Sequence, residues 1–179
     1  NDKNGQDETV RLEIRITTSN LPELTAIAEE IKQQWAQAGV AVTTDILSIS
    51  EIHQAIKDRD YTALLFGETL GSDPDPFSFW HSSQKKDPGL NVALYDNKEA
   101  DKLLEEGRQT MDPVQRMQKY DQLQNIIVND VPMVLLYSPD YLYVQPKKIQ
   151  NNTTQIIGVP SDRFNTVSEW YIDTKRVKR

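Results

Sequence analysis

Strand-like and helix-like segments alternate over residues 10–66, and this alternation constrains the fold more than any other feature of the sequence. Residues 10–19 (VRLEIRITTS) place Leu12, Ile14 and Ile16 between polar neighbours, the pattern of a strand with one buried face. Helical patterns over 20–39 and 48–60 then alternate with strand patterns over 40–47 (VAVTTDIL) and 61–66 (YTALLF). A β-α-β-α-β order predicts an α/β sheet with parallel crossover connections.

The two helices in this region carry start and stop signals. Asn20 is predicted to cap the first helix, with Pro22 in its first turn and Glu23 at the capping-box position, and Gly39 ends it. Ser48 is predicted to cap the second helix, because a glutamate follows three residues later.

Two further helices are predicted after residue 95. Asp96 with Glu99 is expected to open one of them, and Asp112 with Pro113 to open the other. The second of these helices has a predicted apolar face made of Val114, Met117, Tyr120, Leu123 and Ile127.

The C-terminal part of the chain reads as strands separated by turns. Residues 131–138 (VPMVLLYS) and 141–146 (YLYVQP) are predicted to be two strands joined by a Ser-Pro-Asp turn. Residues 168–173 (SEWYID) form a lone strand-like segment, for which the sequence offers no partner.

Composition narrows the class of protein. Hydrophobic residues make up 37% of the 179 residues and charged residues 26%, a globular composition. The net charge of -7 argues against a phosphate backbone as partner, and the lack of cysteine excludes disulfides and thiolate metal sites. The chain starts without methionine, so we expect a mature fragment or an excised segment.

The sequence contains no catalytic constellation. Of the two histidines, His53 is expected to be a solvated helix residue, and His81 lacks a nucleophile in a triad arrangement. Asp73 and Asp75 are spaced like calcium ligands, but the prolines after them stiffen the segment. The sequence therefore predicts that the protein is not an enzyme. A metal-dependent hydrolase built on Asp73, Asp75 and His81 remains as a less favoured alternative.

The stretch 64–83 (LLFGETLGSDPDPFSFWHSS) follows the last predicted strand of the alternating region. Ligands of open α/β sheets bind beyond the carboxyl ends of the strands, so the backbone of residues 68–72 is the predicted contact surface. Gly71 lets that backbone approach a ligand closely. The rings of Phe77, Phe79 and Trp80 are predicted to fill the core.

These residues carry a family resemblance. An Asp-Pro-Asp motif follows the apolar strand, Asn97 to Leu104 matches Asn-x-Glu-x-Asp-x-Leu-Leu, and residues 112–137 match DP..R...Y...Q.I...D.P...LY. In this order and spacing they resemble the C-terminal lobe of family 5 extracellular solute-binding proteins, the dipeptide, oligopeptide and nickel binding components of ABC importers. The resemblance runs from about Leu12 to Trp170.

The resemblance implies both a fold and a function. The implied fold is an α/β, periplasmic-binding-protein-like (type II) lobe with a mixed sheet flanked by helices. The implied function is capture of a peptide or similar small solute between two lobes outside the membrane and delivery to the permease subunits, with no cofactor and no nucleic acid. Such proteins are periplasmic or lipid-anchored lipoproteins. The alternative is a family 5-like sensor lobe of a regulatory protein.

The resemblance also implies domain limits and site residues. Residues 1–10 would be a disordered leader, 11–146 the binding lobe, and 147–179 a segment returning to a missing N-terminal lobe. The aspartate that binds the peptide amine in the family corresponds to Leu70, and the family's tryptophan after the strand glycine is replaced by Glu68. The predicted ligand-binding residues are Glu68, Thr69, Leu70, Gly71, Ser72 and Tyr137.

Overall fold

The structure, a computed structural model, describes residues 12–68, 75–155, 157–172 and 174. By internal packing the chain forms two units, each treated separately below. The first runs to Gly67 and resumes over Pro76–Pro132, and the second comprises Glu68–Asp75 and Met133–Arg179. The predicted lobe and return segment concern the whole protein and stay a prediction, and the predicted leader lies outside the described residues.

The first unit contains a three-stranded parallel sheet. Its strands are β1 (Glu13–Ser19), β2 (Ala41–Leu47) and β3 (Ala63–Leu64), in the order β2-β1-β3. The predicted β-α-β-α-β order is therefore confirmed. Strand β3 is shorter than the predicted 61–66, because it pairs with β1 only through Ala63 and Leu64.

Helices α1 (Pro22–Gln37) and α2 (Ile49–Asp58) form the two crossovers. The connections run in opposite directions from one strand to the next, so right-handed crossovers place the helices on opposite faces of the sheet. Each helix buries one apolar side chain almost completely, Ala28 in α1 and Ile52 in α2.

The predicted cap of α2 is confirmed, whereas that of α1 is wrong. Ser48 and Glu51 form a capping box. Helix α1 is capped at Leu21 without a side-chain bond, and Pro22 occupies its first turn. Asn20 belongs to the end of the sheet instead, since its N–H donates to the carbonyl of Leu47 at 2.8 Å.

A second apolar cluster of the first unit lies on helices α3 (Phe77–Trp80), α4 (Lys98–Gln109) and α5 (Pro113–Asp130). Its buried members are Tyr95, Ala100, Leu103, Leu104 and Leu123. Helices α4 and α5 pack closely at Gly107, where an added Cβ would lie 2.6 Å from Cε1 of Tyr120.

The sequence prediction for α4 and α5 needs two corrections. Helix α4 is capped by Asn97, whose side chain accepts from the N–H groups of Glu99 and Ala100, whereas the carboxylate of Asp96 pairs with Lys85. On α5 the predicted cap Asp112 is confirmed, but Val114 and Met117 are exposed because the apolar contact with α4 begins only at Tyr120.

The two strands predicted over 131–138 and 141–146 are wrong. The structure assigns no strand to these residues, and most of their apolar side chains are exposed, with Leu135 at 83% and Leu142 at 86%. A segment with strand propensity becomes a strand only when a neighbour pairs with its backbone, and no described strand does so here.

The second unit has a small sheet of its own. Strands β4 (Ile149–Gln150) and β5 (Tyr171–Ile172) pair antiparallel, with Ile149 opposite Ile172. The expectation that residues 168–173 lack a partner is therefore wrong. Two 3-10 turns, Pro160–Phe164 and Val167–Glu169, lead into β5, and the Trp170 indole donates to the Thr166 hydroxyl at 3.0 Å.

Candidate functional site at the carboxyl edge of the sheet

The carboxyl ends of the three parallel strands meet at one edge of the first unit. The N–H of Asn20 donates to Leu47 at the end of β2, and the N–H of Leu65 donates to the carbonyl of Thr17 at 3.0 Å. The hydroxyl of Thr18 donates to the carbonyl of Leu65 at 2.9 Å. These bonds fix the point from which the loop after β3 leaves the sheet.

The carboxyl end of β1 is polar although it is fully buried. Thr17, Thr18 and Ser19 are at most 2% exposed. Within the described part of the chain, the hydroxyls of Thr17 and Ser19 have no hydrogen-bond partner. A buried hydroxyl without a partner costs about 1–3 kcal/mol, so this strand end is built at the expense of stability. The sequence signal is the TTS run, which breaks the apolar alternation of β1.

The amino end of α2 lies beside this edge, but Ser48 and Glu51 of the same chain already cap it. The Ser48 N–H donates to the Glu51 carboxylate at 2.8 Å, and the Ser48 hydroxyl accepts from the N–H of Glu51. Hydrogen bonding of the Ser48 side chain and backbone to the Glu51 carboxylate lowers the pKa of Glu51. The helix end is therefore already capped and charge-compensated.

The predicted site residues divide into described and undescribed ones. Thr69, Leu70, Gly71 and Ser72 lie outside the described residues. Glu68 is exposed as a whole residue, yet partial burial of its carboxyl raises its pKa. Tyr137 is 55% exposed. The grouping of these residues into one site stays a prediction.

The aromatic stretch after the loop belongs to the scaffold. Phe77 and Trp80 pack against the buried cluster of α4 and α5, as predicted, whereas Phe79 is half-buried outside that cluster. Phe77 also stacks on His81 at 4.2 Å between ring centroids, and the guanidinium of Arg108 lies 3.8 Å from the centre of the Phe77 ring.

Asn91 holds this stretch in place from inside. It is fully buried, and its amide nitrogen lies within 3.3 Å of the carbonyls of Trp80, His81 and Tyr95. Its oxygen accepts from the N–H of Tyr95 at 3.0 Å. No sequence signal indicates this role, because the partners of Asn91 are carbonyl groups that only the fold brings together.

His81 is a structural residue by its contacts. Its Nδ1 accepts from the Ser83 N–H at 3.1 Å, and its Nε2 lies 3.3 Å from the Glu105 carboxylate. In the described ranges no group of three or more histidine, aspartate or glutamate side chains could hold a metal ion. Asp73 lies outside them, so the metal-dependent hydrolase option gains no support.

A surface depression of about 310 Å³ lies at the amino half of the parallel sheet of the first unit. Its lining includes Glu13, Arg15, Thr43 and Thr62. Arg15 is already paired, at 3.3 Å from Asp45 and 3.5 Å from Asp60, so among its described lining residues this depression has no unpaired cation for an anionic ligand.

The amino-acid sequence was compared with protein families and with curated proteins. No family model matches the chain. The oligopeptide-binding protein AppA of Bacillus subtilis is 32% identical over 148 residues, which are 82% of this chain and 26% of AppA. The probable D,D-dipeptide-binding periplasmic protein DdpA of Escherichia coli is 28% identical over 136 residues, 74% of this chain and 26% of DdpA.

A solved structure of one of these relatives has a similar fold. AppA from Bacillus subtilis, in complex with a nonapeptide, superposes with a TM-score of 0.72 at 24% identity, over 97% of this chain and 35% of that chain. The described fold is thus that of a periplasmic-binding-protein-like α/β lobe. The homologues that cover most of this chain are family 5 solute-binding proteins, which confirms the predicted resemblance.

The chain spans about a quarter of the length of these curated relatives. They are binding proteins rather than enzymes, and they favour solute binding over the regulatory alternative. Within the described residues, no helix is long and apolar enough to cross a membrane.

Proposed function

We propose that this chain is the C-terminal lobe of an extracytoplasmic solute-binding protein that serves an ABC importer. The observation that carries the proposal is the similarity to AppA over 82% of the chain. In this proposal a second lobe of the same polypeptide supplies the other wall of the cleft. The protein captures a peptide or similar small solute and delivers it to the permease subunits, without catalysis and without a cofactor.

The proposed contact surface is the loop from Glu68 to Ser72, with Tyr137 as a side-chain contact. Two observations support it. The loop leaves β3 at the carboxyl edge, where open α/β sheets bind ligands, and its start is fixed by the Leu65–Thr17 bond. The raised pKa of Glu68 indicates that its carboxyl is partly removed from water.

The loop is proposed to contact the solute mainly through the backbone of Thr69 to Ser72. By the family resemblance, Leu70 takes the position of the amine-binding aspartate, and an apolar side chain cannot stabilise a buried ammonium. The free α-amine of a peptide is therefore not the anchor at this position.

Binding couples to closure of the two lobes in this proposal. A solute that contacts both lobes stabilises the closed state by its difference in affinity between the closed and open states. The protein would work in the periplasm or, lipid-anchored, at the outer face of the cell membrane, where the closed form meets the permease.

Calorimetry on the polypeptide with both lobes tests the proposal, using trialanine and N-acetyl-trialanine as probes. We expect saturable binding of both peptides with similar affinity, and little change in the Glu68→Gln variant. Binding of neither peptide by a folded protein would contradict a peptide as the solute. Loss of binding on acetylation, together with loss in Glu68→Gln, would show that Glu68 anchors the amine.

The present chain alone should bind peptides far more weakly. A small-molecule site normally covers about 70–90% of its ligand, so one wall leaves most of the buried surface unavailable. We expect no heat of trialanine binding at micromolar concentrations of this chain. Tight binding by the chain alone would show that a second lobe is not needed.

A further inference from the structure

Arg163 of the second unit has an unusual environment. It lies in the 3-10 turn Pro160–Phe164, and its Nη1 donates to the hydroxyl of Tyr141 at 2.5 Å and to the carbonyl of Pro160 at 2.8 Å. The centre of the guanidinium lies 4.4 Å from the Phe164 ring centre and 5.7 Å from that of Tyr143. The two hydrogen bonds and the two ring contacts hold the side chain in one orientation.

The charge of Arg163 is not balanced by the acid beside it. The carboxylate of Asp162 accepts from the N–H groups of Gly158 and Val159, at 2.9 and 3.0 Å. In the part of the chain that the structure describes, Arg163 forms no ion pair, and its Nε and Nη2 donate no hydrogen bond. By contrast, Arg15 is paired with two carboxylates.

The two unused nitrogens are the edge of the guanidinium that suits a carboxylate. Nε–H and one Nη2–H point in parallel and match two carboxylate oxygens in a bidentate pair. The hydroxyl of Tyr141 accepts from Nη1, on the opposite side of the guanidinium, so this bond orients the fork without occupying it. Tyr141 and Phe164 are 43% and 44% exposed, and Phe164 lies against the guanidinium, so exposed apolar ring surface lies beside it.

We propose that Arg163, Tyr141 and Phe164 form a binding site for a carboxylate that is attached to an apolar or aromatic group. The fork of Arg163, oriented by the Tyr141 hydroxyl, holds the carboxylate, and the Phe164 ring covers the apolar part of the ligand. The site lies wholly within residues 141–164 of the second unit and does not depend on the proposed transport function.

Titration of the present chain with N-acetylphenylalanine tests this site. The Nε–Hε signal of Arg163 in a ¹⁵N–¹H spectrum reports directly on the fork. We expect that signal to shift in a saturable way, with a dissociation constant on the order of 1 mM. N-acetylphenylalaninamide, which lacks the carboxylate, should leave it in place. Inorganic phosphate should bind more weakly than the acid, because it lacks the apolar group.

Three variants distinguish bidentate hydrogen bonding by Arg163 from attraction by a positive charge alone. Arg163→Met should weaken binding of the acid at least about tenfold, and Arg163→Lys by several-fold, because lysine keeps the charge but loses the bidentate edge. Lys148→Met removes the same charge from an exposed position of the same unit and should bind like the parent chain. The amide signals of Ile149 and Ile172 report whether the unit stays folded in each variant.

Equal shifts with the acid and the amide would overturn the proposal. So would unchanged affinity in Arg163→Met with β4 and β5 intact. If Arg163→Met unfolds the unit, Arg163→Lys decides, because an affinity equal to that of the parent chain would show that the fork is not used. Tighter binding of phosphate than of the acid would contradict the carboxylate and apolar specificity.

Discussion

At the scale of single residues, the end of β1 contains one buried hydroxyl that is hydrogen-bonded and another that is not. Thr18 donates to the carbonyl of Leu65, whereas Thr17, equally buried, has no partner within the described residues. Thr17→Val keeps the shape and removes an unsatisfied group, so we expect the free energy of unfolding to stay unchanged or rise by about 1 kcal/mol.

Thr18→Val is the matched control for this prediction. It leaves the Leu65 carbonyl without its donor and should lower the free energy of unfolding by about 1 kcal/mol. Urea unfolding followed by circular dichroism measures both variants. Equal destabilisation by the two valines would mean that Thr17 has a partner after all.

Asn91 gives a second prediction at this scale. In Asn91→Asp, an oxygen replaces the amide nitrogen that faces three carbonyls, and a carboxylate cannot donate to them. We expect a loss of about 3 kcal/mol or more in the free energy of unfolding at pH 7, from burial of an acceptor-only charge. A stability at pH 7 within about 1 kcal/mol of the parent chain would contradict the assigned bonds.

At the scale of elements, the contact between α4 and α5 reverses the usual effect of a helical glycine. Gly→Ala inside a helix normally stabilises by about 1 kcal/mol. A Cβ at position 107 would overlap Tyr120, so we expect Gly107→Ala to destabilise by about 1–3 kcal/mol instead. In a Tyr120→Leu background the same change should be neutral or favourable, and an equal loss in both backgrounds would exclude the overlap as its cause.

The cap of α4 provides another test at the element scale. Asn97→Ala should destabilise by about 1 kcal/mol, because two N–H groups of the first turn lose their acceptor. Asp96→Ala should have the smaller effect, since Asp96 pairs with Lys85 at the surface. Thermal melts of the two variants would show the reverse order if Asp96 were the cap.

These elements show what could be predicted from the sequence. Caps whose partners are local, such as Ser48 and Asp112, were predicted correctly. The choice between Asp96 and Asn97 was not, because Lys85 reaches Asp96 from another part of the chain. The strand predictions over 131–146 failed for a related reason, since strand formation depends on a neighbour that the sequence pattern does not specify.

The candidate site was predicted only as a position in the fold. The sequence placed a loop at the carboxyl edge of a parallel sheet, and the described start of that loop confirms the edge. The buried hydroxyls of Thr17 and Ser19 and the environment of Arg163 were missed. Both depend on which groups lack a partner after folding, and a one-dimensional pattern does not record this.

At the scale of the whole molecule, carboxyl groups link stability to pH. Hydrogen bonds lower the pKa of Glu51, Asp96, Glu106 and Asp130, in each case from a named donor: Ser48, Lys85, Lys119 and Tyr95. The shift of Glu68 is opposite, because partial burial raises its pKa. The two kinds of shift should therefore have opposite effects on stability.

A lowered pKa means that the folded chain binds the proton less tightly than the unfolded chain. The stabilisation is complete above the ordinary values of 3.8 and 4.5 and is lost as the pH falls through the lower folded values. For Glu68 the folded chain binds the proton more tightly, so ionisation costs stability as the pH rises past 4.5. Among the described residues, four lowered carboxyl pKa values oppose one raised value, so we expect acidification to destabilise the folded chain.

Two variants test these signs in urea unfolding at pH 7 and pH 3. Asp130→Asn should lower the urea midpoint at pH 7 and change it less at pH 3, because pH 3 lies below the ordinary pKa of 3.8 and the stabilisation from the lowered folded pKa is being lost there. Glu68→Gln should raise the midpoint at pH 7, because it removes a partly buried charge, and should leave the midpoint at pH 3 nearly unchanged. A shift of the same sign in both variants at pH 7 would mean that the Glu68 carboxyl is hydrated, and the proposed loss of water at the start of the binding loop would be wrong.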